Sequence, residues 1–74
     1  MILTDNQLQR VRDDWQKLAG DQEITKIEQI KSCIYTTISE LGALRLLSKY
    51  RNTDKVRAFQ DNNGNWNFSL ELNI

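Results

Sequence analysis

Between residues 24 and 42 the chain reads ITKIEQIKSCIYTTISELG, in which Ile24, Ile27, Ile30, Ile34, Ile38 and Leu41 recur at three- and four-residue steps. At about 100° per residue these six fall within an arc of roughly 120°, a single apolar stripe that has to be buried. The spacing predicts a helix over 22–41. Asp21 would cap it, or Thr25 with Glu28 as a capping box if the start lies later, and Gly42 would end it.

What covers such a stripe is limited by length. A chain of 74 residues is close to the size at which one core only just offsets chain entropy, so nearly every large apolar residue is needed inside. One domain, 1–74, is expected, with little room for a deep pocket.

Upstream, Thr4 is a good N-cap and Gln7 completes a capping-box pattern. Leu8, Val11, Trp15, Leu18 and Ala19 then share one helical face, and Gly20 can enter the left-handed region without a Cβ penalty. A helix over 5–19 follows. Joined tightly to the second, it would lie antiparallel to it and place Trp15 beside the isoleucines.

The stretch after Gly42, ALRLLSKYR, has two readings. A helix running straight through would carry Arg45 into the middle of the stripe, where a guanidinium cannot be buried unpaired. Leu44, Leu46, Ser48 and Tyr50 alternate instead with Ala43, Arg45, Lys49 and Arg51, which gives a strand over 43–51 with Leu47 as its one misfit. Against this, Ala43, Leu46, Leu47 and Tyr50 also fit a short helix, and Ala, Leu, Arg and Lys favour helices intrinsically.

The C-terminal third is a β-hairpin. DNNG at Asp61 to Gly64 is turn chemistry, and Trp66, Phe68, Leu70, Leu72 and Ile74 follow at strict period two. Strands over 55–60 and 65–73 are expected. With Gly64 as a left-handed bulge residue, Val56 faces Leu70, Ala58 faces Phe68 and Lys55 faces Glu71. That register puts the apolar alternation on one face and an opposite-charge pair on the other. A two-residue Asn63-Gly64 turn would scatter it. The expected fold is α+β: two antiparallel helices on one face of a three-stranded antiparallel meander, ααβββ. The alternative is three helices plus a β-hairpin, winged-helix-like, with Arg45, Lys49 and Arg51 on a recognition helix and DNNG as the wing.

The residue inventory narrows the chemistry. Histidine is absent and Cys33 is the only cysteine. This removes the usual general base, the Ser-His and Cys-His pairs, an internal disulfide and a cysteine-cluster zinc site. Asp13 and Asp14 diverge by about 100° on a helix and cannot act as a catalytic pair. DNNGNWN has oxygen ligands at alternate positions, yet Gly64 stands at position 4 and Leu72 at position 12, so a plain turn is read rather than a calcium loop. Trp15 and Trp66 are core anchors, and Cys33 is a half-buried structural cysteine. No enzyme, no metal and no cofactor are expected. No membrane partner is expected either, since the longest apolar runs are two or three residues. With no basic-then-apolar amino-terminal segment in view, the expected location is cytoplasmic.

Ten basic and ten acidic side chains balance overall, but residues 1–30 carry 4 − 6 = −2 and residues 31–57 carry 6 − 2 = +4. The basic excess points to a polar interaction surface. On the expected sheet the outer face would present Arg45, Lys49, Arg51, Lys55, Arg57 and Phe59, with Arg57 and Phe59 at its centre because arginine and aromatics carry most interface energy. The leading expectation is a small non-catalytic protein-binding module, an adaptor or inhibitor of the free-standing kind that bacteria and phages encode. Two alternatives remain, a nucleic-acid-binding domain using the sheet face or a wing, and a homo-oligomeric assembly unit pairing through the Leu70 to Ile74 edge.

Overall fold

A computed structural model describes residues 2–51 and 55–72. Its elements run α1 (Asp5–Ala19), β1 (Lys26–Ile30), β2 (Cys33–Ile38), α2 (Glu40–Lys49), β3 (Val56–Gln60) and β4 (Trp66–Glu71). The class is α+β, with two helices and a four-stranded antiparallel sheet of order β1-β2-β4-β3. Each helix is followed by a hairpin, and the second strand of each hairpin lies at the centre of the sheet.

Helix α1 forms where expected. Thr4 Oγ1 accepts from the Gln7 backbone at 3.1 Å while Gln7 Oε1 accepts from Thr4 N at 2.8 Å, closing the capping box. Gly20, at φ +68°, follows the last turn.

The predicted helix over 22–41 does not exist. Residues 26–38 of that stretch form the β1–β2 hairpin, turned by Lys31 and Ser32 with Lys31 at φ 56°, and Glu40 and Leu41 begin α2. Two opposed periodicities produced the apparent stripe. On β2 the burial alternates strictly, with Ile34, Thr36 and Ile38 inward, and Ile27 pairs with Thr36 on that same face. Ile30 and Leu41, which complete the stripe on a helix, are 51% and 49% exposed. Eight of the fifteen residues 24–38 are Ile or Thr, branched at Cβ and restricted in a helix but well fitted to a pleated surface. That preference for a pleated surface outweighs the helical spacing.

The predicted strand over 43–51 is likewise replaced by α2, the short-helix reading of the same residues, and the sheet therefore has four strands rather than three. Ser39 caps α2 by accepting from Gly42 N at 3.1 Å, so the helix starts before Gly42 instead of ending there. Among the described residues there is no third helix, and the winged-helix alternative falls with it. Starting at Glu40, α2 buries Ala43 and Leu46 and swings Arg45 out of the core. The Arg45 guanidinium donates to the Ala19 carbonyl at 2.8 Å and to Asp21 at 2.9 Å, joining the Gln22 backbone N–H at 3.3 Å on a carbonyl at the end of α1.

The hairpin of β3 and β4 adopts the bulged register: Val56 faces Leu70, Ala58 faces Phe68, Lys55 pairs with Glu71 at 3.3 Å, and Gly64 is left-handed at φ +84°. The strands run 56–60 and 66–71, slightly inside the expected 55–60 and 65–73; residues 73 and 74 lie outside the described ones. Since β4 pairs with both β2 and β3, it is not the free edge expected at Leu70 to Ile74.

The core lies between the helices and one sheet face, around Trp15, Ala19, Ile24, Ile34, Ile38, Ala43, Leu46 and Phe68. Phe68 meets the edge of Trp15 at 5.0 Å between ring centroids and lies 5.9 Å from Tyr50. The Trp15 indole N–H donates to the Tyr50 hydroxyl at 3.2 Å, which gives a buried donor its partner. Gln16 holds the α1–β1 connection, donating to the Gly20 and Gln22 carbonyls and accepting from Ile24 N.

Candidate functional site

Both helices pack on the face that carries Ile34, Thr36, Ile38 and Phe68, so the opposite face of the sheet is uncovered. Strand register assigns its side chains in rows. One row is Lys26, Thr37, Asn67 and Phe59; the next is Glu28, Tyr35, Ser69 and Arg57; the third is Ile30, Cys33 and Glu71, with Lys55 continuing the line.

The middle of this face is a small aromatic and cationic cluster. Tyr35 and Phe59 meet edge to face at 6.4 Å, and the Arg57 guanidinium lies over the Phe59 ring at 5.1 Å. Such contacts are worth about 0.5–1.5 kcal/mol each beyond area burial. The three side chains therefore define one another's positions on two strands separated by β4.

Beside the cluster is a cavity of about 170 Å³ lined by Cys33, Tyr35, Lys55, Arg57, Ser69 and Glu71. Burial pushes the Tyr35 phenol above its ordinary value, and the neighbouring Cys33 adds to the shift while Arg57 opposes it. The phenol stays protonated at neutral pH, its hydroxyl in a hydrogen bond with the Cys33 side chain. Two sheltered polar residues of β4 behave differently. Asn67, 9% exposed, has its amide in use: Nδ2 donates to Asp61 at 3.0 Å and to the Asn65 carbonyl at 3.2 Å, and Oδ1 accepts from Thr37 at 3.3 Å. Ser69 is 7% exposed, and its hydroxyl has no hydrogen-bond partner among the described residues.

The charges on the face are mostly matched. Lys26 pairs with Glu28 at 3.5 Å and Lys55 with Glu71 at 3.3 Å. Three cations against two anions leave +1, and among the described residues no carboxylate pairs with Arg57.

Of the six residues expected to form one basic face, the structure brings together Lys55, Arg57 and Phe59. Arg45, Lys49 and Arg51 belong to α2 and the turn after it, in the helical layer. Arg45 is engaged with Ala19 and Asp21. Tyr35 and Ser69 were missed. Tyr35 was hidden because its segment has helical spacing; Ser69 lies on the outward face of the last strand, as the bulged register requires, but a lone serine there does not mark a site until the neighbouring strand is placed beside it. At the hairpin tip, Asp61 accepts from the Asn63 and Asn65 backbone N–H groups at 2.9 Å each and from the Asn67 amide. That carboxylate is committed to shaping the turn. A second recess, at Asn6, Gln7 and Arg10, is framed by exposed polar side chains of a single helix.

Among the described residues no helix is long and apolar enough to cross a membrane. No protein-family model, curated protein or solved structure matches this chain.

Proposed function

We propose that the protein is a small non-catalytic binding module that recognises another protein through the open face of its sheet, acting as an adaptor or inhibitor in the cytoplasm. The observation that carries this reading is the ordered Tyr35, Phe59 and Arg57 cluster at the centre of an uncovered sheet face. Tyrosine and arginine are the residue types that anchor protein interfaces, and central, pre-positioned anchors contribute most of the affinity. A face with charges largely paired and a residue of +1 suits an apolar partner surface with an acidic point better than it suits a polyphosphate backbone.

The test is affinity capture from native cells with wild-type protein and two double variants. Arg57→Ala with Phe59→Ala should lose the captured partner, since two anchors at about 2 kcal/mol each amount to a loss of affinity near 1,000-fold. Leu41→Asp with Leu44→Asp, on the exposed side of α2, should retain it. Capture unaffected by the first pair and lost with the second would overturn the proposal.

A second reading draws on the rings. Tyr35 and Phe59 on an antiparallel sheet beside Lys55 and Arg57 could stack on single-stranded bases. A gel shift at low salt that weakens steeply as salt rises would favour nucleic acid over protein.

A further inference from the structure

We infer that the cavity beside the aromatic cluster is a carboxylate subsite, taking an acidic side chain or a chain-terminal carboxylate of the bound protein; this rests on the protein-binding reading above. The cavity, about 170 Å³ and bounded by Cys33, Tyr35, Lys55, Arg57, Ser69 and Glu71, is several times what a single water needs. Its polar lining is dominated by donors. The Ser69 residue is at the floor, 7% exposed, and its hydroxyl has no partner among the described residues. No fully enclosed side-chain polar atom among those residues lacks a partner, so this hydroxyl keeps its small opening toward the cavity. A sheltered donor in that position gains from a ligand acceptor what the protein does not give it.

The protonated Tyr35 phenol and the Cys33 thiol it hydrogen-bonds form one wall. Arg57 supplies a guanidinium that stacks on the Phe59 ring and pairs with no carboxylate among the described residues; stacking on a ring leaves the N–H fork available to a carboxylate. Lys55 adds a second cation and is shared with Glu71. The net charge around the cavity, two cations and one anion, is +1. A monoanion neutralises it, whereas a phosphate dianion would leave an excess negative charge beside Glu71. The chemistry selected is therefore a monoanion, which on a protein partner is a carboxylate.

The experiment is a ¹H–¹⁵N NMR titration of the full chain with sodium acetate, against sodium chloride at equal ionic strength and against inorganic phosphate. Saturable shifts centred on Tyr35, Arg57 and Ser69 are expected with acetate, and weaker ones with phosphate. Arg57→Ala should weaken acetate binding by about tenfold or more, the scale of a lost charge-assisted hydrogen bond, and Ser69→Ala by about threefold to tenfold. Glu71→Gln should tighten it, because a competing carboxylate is removed. N-acetylglycine and N-acetylglutamate α-amide distinguish the sources: the tighter probe shows whether a chain terminus or a side chain is the natural occupant.

Shifts that are uniform or fail to saturate, phosphate binding more tightly than acetate, or acetate binding indifferent to both Arg57→Ala and Ser69→Ala would overturn the subsite. Partner capture that depends on Arg57 and Phe59, in a protein that binds no acetate, removes the subsite and leaves the protein-binding reading standing. Acetate binding with capture indifferent to those residues does the reverse.

Discussion

Gly42→Ala tests how α2 is seated. A Cβ at this position would lie 2.5 Å from Ile38 Cδ1, 2.6 Å from Ile38 Cγ1 and 3.0 Å from Gln22 Cβ. Contacts under 3.0 Å force movement, and Ile38 is only 4% exposed, with a branched Cβ that restricts its rotamers. Overpacking of this kind costs about 1–3 kcal/mol. Replacing glycine by alanine within a helix works the other way, contributing about 0.5–1 kcal/mol. The clash outweighs that gain, so Gly42→Ala should destabilise by about 1 kcal/mol and up to ~2 kcal/mol, lowering Tm by roughly 4–8 °C per kcal/mol for a domain of this size. Urea unfolding followed by tryptophan fluorescence measures it. Ile38→Val removes the offending Cδ1 and by itself costs about 0.5–1.5 kcal/mol. Combined with Gly42→Ala it should cost less than the sum of the two, by about 0.5 kcal/mol or more. A Gly42→Ala protein more stable than its parent would refute the close approach of α2 to β2, and so would strict additivity.

Two further perturbations address the core and the hairpin tip. Tyr50→Phe removes the hydroxyl that accepts from the Trp15 indole, leaving a donor on a side chain that is 2% exposed; destabilisation of about 1–3 kcal/mol is expected by chemical denaturation, and an unchanged midpoint would show that the bond contributes nothing. At the tip, the Asn65 N–H is the foremost cause holding the Asp61 carboxyl below its usual 3.8, with the Asn67 amide and the Asn63 N–H acting in the same direction against desolvation. A depressed folded-state value contributes stability that is present above pH 3.8 and lost as pH falls through the folded value. Acid melting should therefore lose stability below about pH 4, and Asp61→Ala should lower stability at neutral pH while flattening that acid limb. An acid limb identical in the variant would remove Asp61 as its source.

Where one element dominated the local pattern, the sequence was legible. Thr4 and Gln7 are adjacent in space only if a helix begins between them, and Gly64 admits the bulge that puts Val56, Ala58, Phe68 and Leu70 on one face, so α1 and the second hairpin could be placed to within a residue or two. The first hairpin could not. Its two-residue turn at Lys31 and Ser32 switches the inward parity from odd on β1 to even on β2, and the switch spaces Ile27, Ile34 and Ile38 as a helix would space them. The contrary signal was compositional, the density of Ile and Thr between 24 and 38, with Thr36 buried at 1% and its hydroxyl donating to the Lys26 carbonyl at 2.7 Å. That error carried into the next segment. With a helix ending at Gly42, Arg45 had to leave the core by way of a strand; with α2 starting at Glu40, it leaves by reaching the end of α1. Half of the candidate site was legible for the same reason: Lys55, Arg57 and Phe59 lie on or beside the strand that was placed correctly, and Tyr35 lies on one that was not.

Two helices of 15 and 10 residues cover one face of a four-stranded sheet and cannot cover both. On the uncovered face Asn67 and Ser69 are nonetheless buried, and the register explains how: Ser69 sits between Tyr35 and Arg57, and Asn67 between Thr37 and Phe59. The rings and the guanidinium shelter the central strand as the helices do on the other side. Their ordering is thus part of folding, and a partner docking on them does not incur the full cost of about 0.5–1.5 kcal/mol for immobilising each such side chain. The same arrangement mixes stability with affinity at Tyr35, whose truncation would open the flank of β4 as well as remove an anchor. Arg57 is exposed and separates the two. If its replacement abolishes recognition while stability falls by no more than about 1 kcal/mol, the scale of an exposed cation–π contact, the open face serves binding; a comparable loss in both would make the cluster a structural cover for β4.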